Sequence, residues 1–426
     1  MRARVLLLLL LALAAPLSHA RELAIVGATV IASPQAPPLH DAVVLVRDGR
    51  IVQVGARAAV ALPARVQRID GRGSTVLAGF WNSHVHLLAP PLLDAARAPA
   101  PAAQAQLREQ LTRWGFTSVF ELAGVPGNTL AWRRRIEAGE LLGPLLLTVD
   151  APFYPEHGTP IYVREFLAAQ RVASAEVAEP QAARARAQAQ LQAGADGSKL
   201  FTGAIVGGAE GVRPMPAPIA AAVAAATHAA GKPVFAHPSD LRGIEIALAA
   251  GVDVLAHATP AAGAWPQGLA QRLVERNVAL VPTLALFELE LRRENAPDAV
   301  VERFAAAARQ QVQALRAAGG TLLFGTDVGF IDEADTRREL RLLGAAGVDS
   351  RAVLAMLTTA PAQRFGYAQR KGRIAPGYDA DLVLVRGDPL RDPLAYADVA
   401  MTIRGGEVLY RAPTPSPVTE PPVAME

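Results

Sequence analysis

The sequence predicts an α/β protein: a (β/α)8 TIM-type barrel carrying a small composite β-sandwich domain built from both chain ends. Three observations carry this. Residues 76–367 alternate short apolar runs with stretches of helical periodicity, the mark of a parallel sheet. Eight such runs can be counted, the number that closes a barrel. Segments rich in β-formers and turn residues flank this region at 21–75 and 368–411.

The chain has 426 residues, 51% of them apolar, enough for a large core and too many for a disordered chain. Lys plus Arg number 42 against 39 for Asp plus Glu, a net charge of +3, so no basic surface for nucleic acid is implied. Only three of these cations are lysines, Lys199, Lys232 and Lys371, which makes each of them informative. The absence of cysteine excludes disulfides, thiolate metal sites and cysteine nucleophiles.

Residues 1–20 read as a secretory leader: Arg2 and Arg4, an apolar run from Val5 to Ala15, then Ser18-His19-Ala20 before the expected cleavage point. The run is short for a membrane span of about 20 residues. A soluble exported protein is expected, periplasmic in a Gram-negative cell, with no membrane attachment after cleavage.

In the first β part the runs are Leu23–Val30, Ala42–Val46, Ile51–Val54 and Val66–Ile69, with Asp48-Gly49 and Asp70-Gly71 as hairpin signals. The barrel strands are expected at Val76–Phe80, Ser118–Leu122, Leu145–Val149, Ser198–Phe201, Val234–Ala236, Val254–Ala256, Ala279–Pro282 and Leu322–Gly325. Helices fall between them, for instance at Ala182–Ala193, Pro218–Ala230 and Val300–Ala318. The stretch Leu88–Gln104 is either a flexible linker or a cover over the site. The β rhythm returns at Ile374–Gly377, Ala380–Val385, Ala400–Arg404 and Glu407–Tyr410, and the proline-rich residues 412–426 read as a disordered tail.

The strongest local signal is Asn82-Ser83-His84-Val85-His86. On extended backbone, residues i and i+2 share a face, so His84 and His86 can present two imidazoles to one ion, although a His-x-His pair alone could equally be two unrelated polar residues. Position adds weight, because chemistry in such barrels gathers at the C-terminal ends of the strands. There lie Lys199, His237, His257 and Asp327, at spacings that suit successive strand-helix units. Lys199 either pairs with an acid or, desolvated, reacts as a neutral amine that carbon dioxide can carboxylate.

These motifs, with Gly194-Ala195-Asp196-Gly197-Ser198-Lys199, Ala236-His237-Pro238, Leu255-Ala256-His257, Gly325-Thr326-Asp327 and the return at Gly372–Val383, make the chain resemble metal-dependent amidohydrolases of the imidazolonepropionase-like and prolidase-like branch. The resemblance implies that His84, His86 and Asp327 bind one divalent metal ion, that His237 and His257 bind a second, and that carboxylated Lys199 bridges the two. Imidazole and carboxylate donors suit Zn²⁺. It further implies a hydroxide held between the ions that attacks a carbonyl, with Asp327 passing its proton to the leaving nitrogen. Relatives that open cyclic imidazolones lack the bridging lysine, so Lys199 favours a linear amide or dipeptide as the small-molecule substrate. Relatives also assemble through their outer helices, which allows a homo-oligomer.

Substrate contacts are expected from Tyr154, His157 and Tyr162 in the loop Phe153–Tyr162, whose alternative is a packed structural loop. Arg213 is either a partner for a substrate carboxylate or a solvated surface residue. Gly203–Gly208 reads as a mobile loop, and Phe287–Arg293 either lines a pocket wall or forms a charged helix start, the second being favoured. The alternatives are hydrolysis of a cyclic amide or an ester on the same fold, and a periplasmic binding protein without turnover.

Overall fold

The computed structural model describes residues 22–413, so the expected leader at 1–20 and all but the first two residues of the expected tail at 412–426 lie outside the described residues. Both chain ends enter one eight-stranded sheet. Its order is Glu407–Arg411, Val399–Arg404, Leu382–Arg386, Ser74–Ala78, Glu22–Val30, Leu39–Arg47 and Arg50–Ala56, with Gln67–Asp70 also on Glu22–Val30. The side chains of Ile25, Val44, Ile69, Val76, Leu382 and Ile403 share one core on it.

Asp48-Gly49 makes the expected hairpin, both residues at positive φ (49° and 75°) between the paired Arg47 and Arg50. Asp70-Gly71 does not. The strands on either side of it do not pair with each other; both run parallel to Glu22–Val30, one meeting Leu23 through Gln67 and the other Thr29 through Thr75. A register shift between Val26 and Ala28 of Glu22–Val30 separates the two pairings. Ile374–Gly377 is a turn rather than a strand, with Pro376 unable to donate to a ladder.

The apolar run read as one strand, Val76–Phe80, is divided. Ser74–Ala78 belongs to the sheet of the chain ends, while Phe80–Val85 opens the parallel set. Gly79 makes the junction, where a Cβ would lie 2.2 Å from Thr117 Oγ1. The change of sheet therefore falls at Gly79, inside the run read as one strand.

Phe80–Val85, Phe116–Glu121 and Leu145–Thr148 pair in parallel, as do Ser198–Leu200, Val234–Ala236, Val254–Leu255 and Ala279–Leu280. Single parallel bridges link Phe153 to Leu200, Leu280 to Leu322 and Val85 to Val328. The expected strand Leu322–Gly325 makes only such isolated contacts, among them the Ser83 amide donating to the Phe324 carbonyl. Side chains alternate along these segments. Leu146, Leu255, Leu280 and Phe324 pack outward in the larger core, while Trp81, Phe120, Leu147, Phe235, Val254, Val281 and Leu323 meet in a cluster of their own.

Two loop expectations change. Gly203–Gly207 and Gly211–Pro214 form an antiparallel hairpin, not a mobile loop. The segment after Leu88 is pinned: the Leu92 carbonyl accepts from Asn128 Nδ2 (2.7 Å) and Trp132 Nε1 (2.8 Å), and Arg135 donates to the carbonyls of Ala95 and Ala98 (2.9 Å each). Among the described residues no helix is long and apolar enough to cross a membrane.

Lys371 secures the return into the sheet. Its buried ammonium contacts Asp381 and lies 3.2 Å from Asp379, both also buried. Asp379 also pairs with Arg50 (2.7 Å) and Arg370 (3.1 Å), so Lys371→Met is expected to leave the buried Asp381 carboxylate without its cation and to lower unfolding stability by about 3 kcal/mol, read from denaturant melts.

Candidate metal centre

The inward alternation of the parallel segments runs on to their ends. Phe235 points into the inner cluster and His237 follows it by two residues; Leu323 does the same before Asp327, four residues on. Lys199 lies between Ser198 and the outward-packed Leu200. The first and last segments are then locked by Asn82. Its Nδ2 donates to Thr326 Oγ1 (2.8 Å), and its Oδ1 accepts from the amides of Thr326 and His84 (3.2 Å each). The Asp327 amide donates to the His84 carbonyl (2.9 Å) and the His86 amide to the Val328 carbonyl (2.8 Å). Gly325 permits this approach, since a Cβ there would come within 2.3 Å of Val281.

The result is a tight group of donors. His84 Nε2 lies 3.2 Å from His86 Nε2, 3.2 Å from Asp327 Oδ1 and 3.3 Å from Lys199 Nζ. His86 Nε2 is 2.8 Å from the same carboxylate oxygen. The His257 ring stands 4.5 Å from that of His84 and 4.7 Å from that of His237, which stacks on Phe201. His84, His257 and Asp327 each offer one donor atom within 4.8 Å of the others.

Hydrogen bonds behind the rings set the tautomers. His84 Nδ1 faces the Ala256 carbonyl and His86 Nδ1 the Ala123 carbonyl, each at 2.9 Å. A carbonyl only accepts, so both Nδ1 atoms carry the proton and both Nε2 atoms turn toward the centre. His257 Nδ1 meets Thr283 Oγ1 at 2.9 Å. This donor set fits a divalent cation: it gathers nitrogen and carboxylate lone pairs at one point, with outer groups orienting the rings.

Burial shapes the charges. It pushes His84 and His257 well below the usual histidine range and His237 down to about 3, the last with help from Lys199. Burial also depresses His86, but bonds to Asp327 and Glu121 more than offset it and raise it to about 9. Burial would raise Asp327, yet the imidazoles of His84 and His86 hold it well below the carboxylate range. The Lys199 amine is lowered by burial to about 8. The site thus offers neutral imidazoles at His84, His237 and His257, a His86 that holds its proton against Asp327, one carboxylate and an amine that loses its proton easily.

Above the donors opens a cavity of about 370 Å³. Tyr154 and Tyr162 line it, and burial raises both phenols, which keeps them protonated as hydrogen-bond donors. His157 and Arg213 do not line it. The His157 side chain is exposed beside Glu156, and Arg213 is held by Glu210 and the Glu156 carbonyl. The helix Leu284–Arg293 takes the first of its two readings as well as the second, supplying cavity wall through Leu286, Phe287 and Glu290.

Sequence reading missed the supporting residues. Glu121 ends its strand fully buried, accepts from Thr148 Oγ1 (2.7 Å) and the Ala123 amide (2.8 Å), and lies 3.6 Å from His86 Nδ1. An acid inside the apolar run Val119–Leu122 was the available signal. Thr283 and Glu339 form a second pair. Thr283, at φ 45°, points its hydroxyl at His257 rather than capping its helix; the buried Glu339 carboxylate accepts the Leu284 and Ala285 amides instead (3.0 and 2.7 Å).

Fold and site together define an α/β protein with a donor set for divalent metal at the ends of parallel strands. The chain belongs to the amidohydrolase family, whose profile matches residues 75–409, and is a hydrolytic enzyme acting on carbon-nitrogen bonds. Among solved structures it is similar to a Xaa-Pro dipeptidase with bound methionine in the active site (20% identity, TM-score 0.77, covering 92% of this chain and 100% of that one). It is also similar to a putative prolidase from Bifidobacterium longum (25%, 0.76, 92% and 95%) and to the A. niger ochratoxinase (18%, 0.74, 92% and 96%). No curated protein matches the chain in a sequence comparison.

Burial raises the Glu339 carboxyl from 4.5 to about 7, against the two amides that favour its charged form. The folded state then binds this proton more tightly than the unfolded chain, so its stabilising contribution is complete below pH 4.5 and lost as pH rises through 7. Glu339→Gln is expected to remove that slope. Denaturant melts at pH 4.5 and 8 should show wild type losing about 3 kcal/mol more than the variant.

Proposed function

We propose that this protein hydrolyses a small linear amide or dipeptide-like bond at a two-metal centre, on a closed (β/α)8 barrel flanked by a small β-domain from both chain ends. The observation that carries the reading is the meeting of His84, His86, His257, Lys199 and Asp327 within a few ångströms at the floor of a cavity. His84, His86 and Asp327 would hold one ion, His237 and His257 the other, and carboxylated Lys199 would bridge them. Nitrogen and oxygen donors favour Zn²⁺. Such a pair, when bound, supplies a hydroxide near neutral pH and a Lewis acid for the carbonyl.

The chain's own groups do the rest. Carboxylation joins carbon dioxide to the neutral Lys199 amine and releases one proton; the burial that depresses the basicity of that amine, and its place 3.3 Å from His84 Nε2, support this. Asp327, anionic and buried, takes the proton of the attacking water and delivers it to the leaving nitrogen as the carbon-nitrogen bond breaks. Tyr154 and Tyr162 are available to orient a carbonyl oxygen. The names of the similar solved structures, a dipeptidase and a prolidase, support amide cleavage over ring opening. We place the reaction outside the cytoplasm, in the periplasm of a Gram-negative cell, on the strength of the leader at residues 1–20.

Metal analysis of purified protein is expected to return about two equivalents, and ¹³CO₂ equilibration to give a carbamate resonance. Lys199→Ala should abolish that resonance, bring the metal to one equivalent or less and cut kcat/KM on amide substrates by on the order of 100-fold or more. Unchanged metal content and turnover in the variant would refute the bridging role.

A further inference from the structure

The cavity above the donors is built for an uncharged occupant. Its walls come from Leu88, Phe166, Leu167, Phe287, Phe304 and Phe330, and its volume of about 370 Å³ suits a small organic molecule. Among the described lining residues Lys199 is the only lysine or arginine, and it sits at the floor, 3.3 Å from His84 Nε2. The acids on the wall are Glu290, near enough to Asp327 to feel its charge, and Glu294. Nearby arginines, none of them a lining residue, already have partners: Arg213 has Glu210, Arg186 the carbonyls of Ala175 and Pro152, and Arg293 the wall acid Glu290.

The rim continues this character. Ile161, 50% exposed, and Ile205, 38% exposed, are among the few large apolar side chains open to solvent, and both line this cavity. They stand on neighbouring elements, the helix Ile161–Gln170 and the strand Gly203–Gly207, which meet where a Cβ on Gly207 would lie 3.0 Å from Ile161 Cδ1. Apolar side chains left exposed at a mouth are the residues an apolar substrate would cover.

We propose that the substrate is an uncharged amide with apolar groups on both sides of the scissile bond, and not a dipeptide or N-acyl amino acid with a free carboxylate. A carboxylate on the leaving amine would enter a wall that offers no cation and two acids, so its desolvation would go uncompensated. This rests on the hydrolase reading: water adds to the carbonyl carbon, the carbon-nitrogen bond breaks, and the proton passes to the departing amine.

The test compares matched pairs that differ only in the distal carboxylate, octanoyl-pyrrolidide against octanoyl-proline and benzanilide against 4-benzamidobenzoate, on the metal-loaded protein. The uncharged member of each pair is expected to show kcat/KM higher by on the order of 100-fold. Ile161→Arg, at an exposed position, should narrow that ratio at least tenfold by placing a cation at the rim. Equal or faster turnover of the carboxylates by wild type would overturn the proposal. Where neither member is cleaved, calorimetric binding of the same pairs decides: tighter binding of the uncharged compounds sustains the substrate class while the missing turnover counts against the hydrolase reading alone, and equal or tighter binding of the carboxylates overturns the class.

Discussion

Asn82 is the clasp on which the site depends. It has no exposed surface, and its amide spends both ends on joining two stretches of chain 244 residues apart. One end of that connection carries His84 and His86, the other Asp327, so the geometry of three donors is decided by one side chain that touches none of the chemistry. The close approach has a second requirement. Gly329 packs its backbone against His86, where a Cβ would come within 1.8 Å of the carbonyl oxygen, and only glycine can occupy the place. A buried amide is costly to strand without partners, which makes the two segments separable only together.

The backbone at this end of the molecule is held in conformations that most residues avoid. Asp150, Ser239, Thr283 and Asp327 each follow a parallel segment, and each has positive φ, at 62°, 53°, 45° and 62°. Left-handed backbone costs a residue with a side chain about 1–2 kcal/mol, and more when it is β-branched like Thr283. Local bonds offset this: Asp150 accepts the Gly127 amide at 2.6 Å, and Ser239 donates to the Gly203 carbonyl at 2.7 Å. Thr283 instead turns its hydroxyl to His257, and leaves the start of its helix to the carboxylate of Glu339, 55 residues away. Strain concentrated at the strand ends, with compensation drawn from elsewhere, is what positioning of reactive groups demands.

Much of the site was legible in the sequence because side-chain direction in a strand depends on parity. His84, Lys199, His237, His257 and Asp327 all end apolar runs, and counting by two from inward Phe235 and Leu323 reaches His237 and Asp327; His84 and His257 fall three residues after inward Trp81 and Val254, so their direction is not set by parity alone. What escaped detection depends on contacts between distant segments. Glu121 and Glu339 are acids whose roles exist only through the ring or helix they face, and no local pattern encodes that partner. Val76–Phe80 misled because an unbroken apolar run hides a change of sheet, which only the crowding of Gly79 by Thr117 reveals. Asp70-Gly71 misled for a related reason: the turn residues are present, but both flanking strands found the same neighbour. His157 and Arg213 have the right chemistry at the right point in the chain, and the turn after Pro155 and the hairpin at Gly211–Pro214 carry them away from the cavity.

Burial joins the site to its walls. The desolvation that depresses the imidazoles keeps them neutral and able to give their lone pairs, and the apolar cavity above extends that low-dielectric surrounding to whatever binds. The one cation among the described lining residues, Lys199, lies at the floor with the donors. A carboxylate that sought Lys199 would have to enter the donor set itself, displacing the carbonyl that chemistry requires there; one held against the wall would face Glu290, whose own carboxyl burial already pushes upward. The surroundings that make the floor reactive are therefore the same ones that restrict what can be held above it, and selectivity against charge follows from the electrostatics of catalysis without any residue dedicated to exclusion.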